Sequence, residues 1–424
     1  MKGSPAQLRW QHLEFGVFIH FGVNTFAGKE WSDGTLPPSL FNPSHFDVGS
    51  WVRVAKEAGA RYLILTSKHH DGFCLWPTST TGYSVASSPW RGGSGDVVGS
   101  VADACAAAGL GFGVYLSPWD RNATCYGDPE AYDSFYAQQL TELCTGYGPL
   151  MELWFDGAGS VGRSYDWDRI MAVASLHQPD AMIFNMGSPT IRWIGNEDGL
   201  AADPVQYVVN QTADSQYTES SSTLTARYLP PECDVSLRRG WFWHPDDEPK
   251  STEHLLAIHH QSVGMGANLL LNLPPDTRGL IPVEDQTRLR EWKAELDRRL
   301  SGAVEAALEQ HPGSVTMRFP EQVTFNYVEL VEDLSSGQRI TRHSITHDGG
   351  AHDGGTHDGG DIATGLTVGN RRLHQVPVTT AGSLRVVLSG SGAALASARV
   401  YTGALDAGIP RIPEGYEAPT DPPE

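Results

Sequence analysis

No run of about 18 apolar residues, the length a membrane-crossing helix requires, occurs anywhere in the 424-residue chain. A basic leader followed by a short apolar stretch is also missing ahead of Trp10. These absences predict a soluble chain without a membrane partner, cytoplasmic as it stands or secreted if a leader has been removed. Cysteine is scarce. Cys74, Cys105, Cys125, Cys144 and Cys233 are odd in number, scattered and free of any CxxC pair, which argues against a zinc knuckle or a disulfide framework and predicts buried free thiols. Basic residues are outnumbered, with 30 Lys and Arg against 50 Asp and Glu. The resulting surface potential opposes phosphate backbones, so nucleic acid is not an expected partner.

What is present suits a large globular protein. Apolar residues make up 40% and charged residues 19% of the chain, enough to bury a sizeable core and too little charge for disorder. The length favours two domains. Over the first 300 residues or so, short β-rich runs at 15–22, 61–67, 111–117, 151–156, 181–186, 234–237 and 267–273 alternate with helical stretches at 48–58, 96–108, 129–147, 165–177, 252–263 and 284–300. That alternation predicts parallel strands joined by crossover helices, with a (β/α)8-like TIM barrel as the natural closure. The polar stretch 199–232 leaves the sixth repeat unresolved. Beyond Pro312 the texture changes to alternating β-branched runs at 315–319, 323–331, 384–388 and 398–401, which predicts a C-terminal antiparallel β-sandwich. The expected division is a barrel over 1–305, a sandwich over 306–407 and a proline-rich tail over 408–424. Within the sandwich, HDGG occurs three times between His347 and Gly360; a loop is the simpler reading of such a Gly-rich repeat, and metal binding by its histidines the alternative.

Strand side chains alternate faces, which tests the barrel reading residue by residue. In 151–156, Met151, Leu153 and Phe155 form an apolar set to meet the helices, leaving Glu152, Trp154 and Asp156 for the axis. Asp156 ends the strand and is followed by Gly157, at the rim where barrel enzymes carry catalytic groups. The same phasing sends Phe112, Val114 and Leu116 outward and Tyr115 and Ser117 inward. In the first strand, Phe15, Val17, Ile19 and Phe21 face out, while Phe18 and His20 face in. A carboxylate, a phenol and an imidazole thus arrive at one end.

Lys68-His69-His70-Asp71-Gly72-Phe73 follows the second strand, and both histidines enter one pocket only if the chain turns, which Gly72 permits. Imidazoles pair well with sugar hydroxyls because each ring offers a donor and an acceptor; a metal site through His69, His70 and Asp71, or a structural role, are the alternatives. Asp156 and Glu197, in Gly195-Asn196-Glu197-Asp198-Gly199, are two carboxylates of the kind glycoside hydrolysis needs across a scissile bond. Glu30-Trp31 and Trp241-Phe242-Trp243-His244 place rings in loops, as a sugar platform or as packing. Asn122-Ala-Thr124 and Asn210-Gln-Thr212 match the glycosylation sequon, a triplet that also arises by chance.

Phe15-Gly-Val-Phe-Ile-His20-Phe-Gly, Lys68-His-His-Asp-Gly-Phe73, Val114-Tyr-Leu-Ser-Pro-Trp-Asp120 and Glu152-Leu-Trp-Phe-Asp156-Gly together resemble the α-L-fucosidases of glycoside hydrolase family 29. The likeness spans most of residues 10–300 in the family's order. It implies Asp156 as the nucleophile of a retaining double displacement, and a fucose pocket lined by His20, Glu30, Trp31, His69, His70, Tyr115, Trp154 and Trp241. Ile191-Arg-Trp-Ile-Gly-Asn-Glu197-Asp-Gly resembles the GNE motif of the subgroup acting on α-1,3 and α-1,4 fucosyl linkages of Lewis-type glycans. Glu197 is then the preferred acid/base, with Asp198 and Glu232 as local competitors and Trp193 or Trp154 as the apolar neighbour that raises its proton affinity. The implied partner is a fucosylated oligosaccharide or glycoconjugate; neither a metal nor a cofactor is expected. Broader action on α-1,2, α-1,6 or aryl fucosides, a catalytically silent fucose-binding protein and a metal-dependent hydrolase are the remaining readings.

Overall fold

Strands separated by helices of ten residues or more have no hairpin turn to join them, so they pair in parallel by crossovers. The computed structural model describes residues 1–160, 162–210, 225–347 and 360–416. The chain runs through α1 (Pro5–Gln11), β1 (Phe15–Ile19), α2 (Val23–Ala27), α3 (Val48–Glu57), β2 (Tyr62–Lys68), α4 (Val97–Ala108), β3 (Gly111–Leu116), α5 (Pro129–Gly146), β4 (Glu152–Trp154), α6 (Trp167–His177) and β5 (Met182–Phe184). It continues with β6 (Arg192–Trp193), β7 (Val208–Val209), β8 (Arg227–Tyr228), β9 (Pro231–Ser236), α7 (Thr252–Gln261), β10 (Asn268–Asn272) and α8 (Val283–Arg299). Aspartates start four of the crossover helices: Asp47, Asp96, Asp128 and Asp166 each accept a backbone N–H of the first turn. Such a cap satisfies a donor that the helix cannot, and is worth about 1 kcal/mol.

Eight strands form one parallel sheet in the order β5, β4, β3, β2, β1, β10, β9, β6. Phe184 bridges in parallel to Ile191, just ahead of β6, so the end strands meet and the sheet is a nearly closed (β/α)8 barrel, as the alternation predicts. The sequence marks seven of these strands. The eighth, β6, is two residues long and is followed by the β7–β8 pair, with no helix among the described residues before β9, so it carries no periodic signal. The expected strand at 234–237 also begins late, since β9 already starts at Pro231.

The alternation holds around the barrel. Phe15, Val17, Ile19, Leu63, Leu65, Phe112, Val114, Leu116, Leu153 and Phe155 join the core between strands and helices, whereas Phe18, Tyr62, Ile64, Tyr115, Trp154, Met182, Phe184 and Leu270 pack inside. Met151 departs from its expected place and packs against the interior set. It precedes β4, and its side chain occupies the space beside Gly111 where a Cβ would stand. Trp10 of α1 plugs the lower end and donates its indole N–H to Glu152.

The remaining chain forms an antiparallel sheet of seven strands, β11 (Ala303–Glu305), β12 (Ala307–His311), β13 (Ser314–Glu332), β14 (Arg342–His347), β15 (Asp361–Gly365), β16 (Arg372–Ser389) and β17 (Leu395–Tyr401). It begins at Ala303, inside the span assigned above to the barrel. Register shifts near Arg318 and Phe325 interrupt the long β13–β16 pair. The β-sandwich encloses its own core of Val315, Phe325, Val328, Ile345, Val386 and Val400. Arg371 fastens it to the barrel by reaching both Glu14, ahead of β1, and Glu329 of β13. All five cysteines are unpaired and four are buried. The HDGG repeats lie at 347–360, of which 348–359 fall outside the described residues. The tail returns to the barrel, where Tyr416 packs edge-on against His254; residues 417–424 are outside the described set. No helix among the described residues is long and apolar enough to cross a membrane.

One interior approach is tight enough to test. Tyr62 crosses the barrel to donate its hydroxyl to Glu232 at 2.6 Å, and a Cβ on Gly16 would lie 2.4 Å from its ring. Gly16→Ala is expected to cost about 1–3 kcal/mol by overpacking, read as a lower urea midpoint. An unchanged midpoint would mean that the ring can step aside freely.

Candidate active site

Residues after the strand ends share one rim because all eight strands run the same way. Asp156 follows β4 there, with its side chain 24% exposed. Its Oδ2 accepts the Tyr115 hydroxyl at 2.9 Å and its Oδ1 the Ala158 N–H at 2.8 Å. Burial first, and then the neighbouring Asp156, push the Tyr115 phenol well above its ordinary range, so it remains a donor. The Ser117 hydroxyl donates to the Trp119 carbonyl at 2.7 Å, so the 2.7 Å contact between Ser117 Oγ and His70 Nδ1 is made by the ring N–H. His70 Nε2, 3.5 Å from Asp156 Oδ2, is then an acceptor facing an acceptor. That gap suits a donor from a ligand. Burial lowers the His70 pKa to about 4 despite the opposing pull of Asp156.

The two histidines do reach one pocket, through the turn that Gly72 allows. Gly72 N–H donates to the His69 carbonyl at 3.0 Å, and its φ of 87° lies in the left-handed region. The His69 and His70 rings are 4.2 Å apart, and His69 stacks parallel to Tyr115 at 5.7 Å. His69 Nδ1 is buried with no hydrogen-bond partner among the described residues. Asp71 turns away, accepting from Phe73 N–H and Asn24 Nδ2, and no three His, Cys, Asp or Glu side chains among the described residues converge as a metal site. Behind the loop Lys68 forms a buried ion pair with Asp120 at 3.0 Å, while Asp120 accepts from Asn122 and Ala123 N–H. One cation therefore ties the loop after β2 to the loop after β3. Asn122, half-buried, donates its amide to Gly34 O at 2.8 Å; the second sequon extends beyond the described residues.

The opposite wall is built around Trp241. Asn272 donates its amide to Ser236 Oγ and to Trp241 O, so its Oδ1 is the acceptor for His20 N–H and for His20 Nδ1 at 2.9 Å. Burial brings His20 down to about 3. The ring is neutral, with Nε2 left as an acceptor. Glu30 receives the Trp241 and Phe242 N–H groups, and burial pushes its pKa up to about 7. The Trp241 ring lies 5.0 Å from His20, and its Nε1 donates to Glu197 Oε2 at 3.2 Å. Glu197 stands on a short loop in which Asn196 Oδ1 accepts the Asp198 and Leu200 N–H groups. Trp31 meets His70 and Trp119 edge to face.

Trp154 lies deeper. It is 6% exposed, stacked between Phe184 and Tyr115, with its Nε1 bonded to Glu232 at 3.1 Å. All ten sequence-selected residues thus belong to the rim or to the barrel interior under it. Sequence reasoning did not assign Ser117, Trp119 or Asn272. The inward phase of Ser117 and of Asn272, opposite Leu269 and Leu271, is the signal that could have found two of them. A separate open cavity of about 740 Å³ lies along Asn42–Asp47, Trp90, Arg91 and Leu280 and shares no residue with this site.

Below the pocket, Glu152 and Glu232 sit side by side. Glu232, fully buried, accepts from Tyr62 and Trp154; burial pushes it up to about 7, moderated by those bonds. Burial, and then Glu232, hold the Glu152 carboxyl well above the usual range. Two adjacent carboxyls in a dry interior cannot both ionise cheaply.

A family model described as alpha-L-fucosidase matches residues 36–296 of the chain. Alpha-L-fucosidase 1 of Arabidopsis thaliana is 38% identical, covering 91% of this chain and 84% of its own length. The crystal structure of a glycoside hydrolase 29 family member from an unknown rumen bacterium is similar with a TM-score of 0.84 at 33% identity, over 95% of this chain and 77% of the other. A Ruminococcus gnavus GH29 fucosidase in complex with fucose gives a TM-score of 0.82 at 26% identity, over 95% of each chain.

The raised carboxyls fix the sign of a pH effect. Between the unfolded carboxyl range and about 7, the folded chain holds protons that the unfolded chain has released, so stability is greatest at the acid end and falls as pH rises. Glu152→Gln mimics the protonated acid and should flatten that fall, raising the urea midpoint relative to the parent more at pH 8 than at pH 5. Parallel decline of the two proteins would exclude Glu152 as its source.

Proposed function

The chain belongs to the alpha-L-fucosidase family, and from that premise we propose that it is a retaining, exo-acting enzyme releasing terminal α-1,3- or α-1,4-linked L-fucose from Lewis-type and related glycans. A fucosylated glycan is the substrate class of the family, and the finer linkage reading rests on the resemblance of Gly195-Asn196-Glu197 to that subgroup's motif. The observation that carries the mechanism is the pocket's two-sidedness: Tyr115 and Ala158 orient Asp156 on one wall, while Trp241 holds Glu197 on the wall that also carries His20.

In this reading Asp156 attacks the anomeric carbon as Glu197 gives its proton to the departing glycosidic oxygen. The carbon–oxygen bond breaks, an ester to Asp156 forms, and the shortened glycan leaves as an alcohol. Glu197, now a carboxylate, takes a proton from water as that water attacks the same carbon and frees Asp156, so two inversions give net retention. The acceptor atoms His20 Nε2 and His70 Nε2 serve the sugar's hydroxyls while Tyr115 keeps its one proton on Asp156, and Phe18, Trp241 and Phe242 offer apolar surface to the methyl group of a 6-deoxy sugar. Glu232, the competing acid named above, has no exposed surface and lies under Trp154, which disfavours it as the group meeting a leaving alcohol.

Asp156→Ala is expected to lower kcat at least ~10³-fold with an unchanged melting midpoint, because it removes the covalent step. Glu197→Ala should be slow on oligosaccharides by ~10²- to 10⁴-fold and recover with azide, giving a β-linked fucosyl azide by NMR. Normal oligosaccharide turnover by that variant, or a first-formed product of inverted configuration, would overturn the assignment.

A further inference from the structure

Asp234 occupies the same inward row of β9 as Glu232 and is 3% exposed. The mechanism above makes no use of it. Its Oδ1 receives the Trp193 indole N–H at 2.7 Å. Trp193 stands in register with Glu232, Ile194 N–H donates to the Glu232 carbonyl at 2.9 Å, and Asp198 forms an antiparallel bridge with Val235. The segment that carries Glu197 is therefore fastened to β9 at both of its ends, with Asp234 and Trp193 adding a side-chain tie between them.

The charged groups that act most strongly on Asp234 are of one sign. Glu197 faces it from the loop and Glu232 from its own strand, and Trp193, its partner on β6, is neutral. Lys250 reaches the Ser236 carbonyl farther along β9, but among the described residues no lysine or arginine is paired with the Asp234 carboxyl, whose side-chain partner is Trp193. An ionised carboxylate in that position would pay for desolvation and for repulsion by both neighbours without a compensating cation. Burial, followed by Glu197, accordingly holds its pKa well above the ordinary carboxylate range.

We propose that Asp234 is a positioning residue for the acid/base loop and works as a neutral acid, holding Trp193 in place without setting a second negative charge beside Glu197. The inference rests on the reading of Glu197 as the acid/base. That residue changes charge twice in each turnover, and a neighbour that keeps its proton throughout lets it titrate as a single group rather than as half of a coupled pair.

The test compares Asp234→Asn, Asp234→Ala, Trp193→Phe and Glu197→Ala in the full-length chain on two substrates. One is a Lewis-type trisaccharide, whose leaving alcohol needs a proton; the other is an aryl fucoside with an acidic phenol, which leaves without one. Asp234→Asn keeps an oxygen for Trp193 and adds no charge, so its kcat/KM should stay within about threefold on both substrates and the alkaline limb of its pH profile should not move. Asp234→Ala and Trp193→Phe should each lose about 10- to 100-fold on the trisaccharide and about threefold or less on the aryl fucoside, the split expected when only general-acid assistance is weakened. Trp193→Phe retains the ring and carries the test should the alanine variant fail to fold.

A shift of the alkaline limb to lower pH by about half a unit or more in Asp234→Asn would show that the native group is an anion and overturn the proposal. Equal losses on both substrates, or no loss on either, in the variants that break the bond would overturn it as well. Full trisaccharide turnover by Glu197→Ala would remove the acid/base reading and this inference together; an inactive Glu197→Ala beside unsplit Asp234 and Trp193 variants would remove this inference alone.

Discussion

Closing eight parallel strands into a ring forces every second side chain into a space without water, and the site depends on how the polar groups sent there are paired. The helices outside impose aliphatic residues on the other face, so a polar residue on the wrong phase has nowhere to go. Inside, several polar groups are matched to a donor or acceptor of the right kind, Asp156 to Tyr115, His20 to Asn272, Glu232 to Tyr62 and Trp154, while His69 Nδ1 has no partner among the described residues. In a low-dielectric interior such pairs are stronger than in water and an unpaired member is costly. The arrangement is thus stiff, as a pocket that must orient a sugar ring requires.

The same constraint explains the protonation pattern. Neutral imidazoles at His20, His69 and His70 follow from burial, and they present lone pairs and N–H groups to the pocket instead of charge. The carboxyls divide by depth. Glu152, Glu232 and Asp234 lie in the interior, where burial raises the pKa of each. Depth in the barrel, more than residue type, decides how strongly these carboxyls hold a proton.

Much of this was legible in the sequence wherever a strand was long enough to show its phase. Phe15 to Phe21 and Gly111 to Ser117 declare their two faces, and the pair of histidines after β2 needed only the turn at Gly72. Where the pattern was short, it failed. β6 is two residues long and, among the described residues, no helix follows it before β9, so the eighth strand was invisible, and reading β9 from Asp234 instead of Pro231 hid the fact that Glu232, beside Glu152, and Asp234 stand on one inward row. Met151 was misread because it lies just outside the strand whose alternation it was assumed to obey. Tertiary partners such as Lys68 with Asp120 leave no mark in a single chain, since 52 positions separate them.

That ion pair has a consequence for how this pocket can change. Lys68 and Asp120 are almost wholly shielded from solvent, and losing either leaves a stranded charge, at a cost of about 3–5 kcal/mol. The histidine-bearing loop and the one with Trp119 are therefore a single heritable unit. Exchanging one of them alone would leave Lys68 or Asp120 buried without its counter-ion, so a redesign of either segment has to carry the other with it.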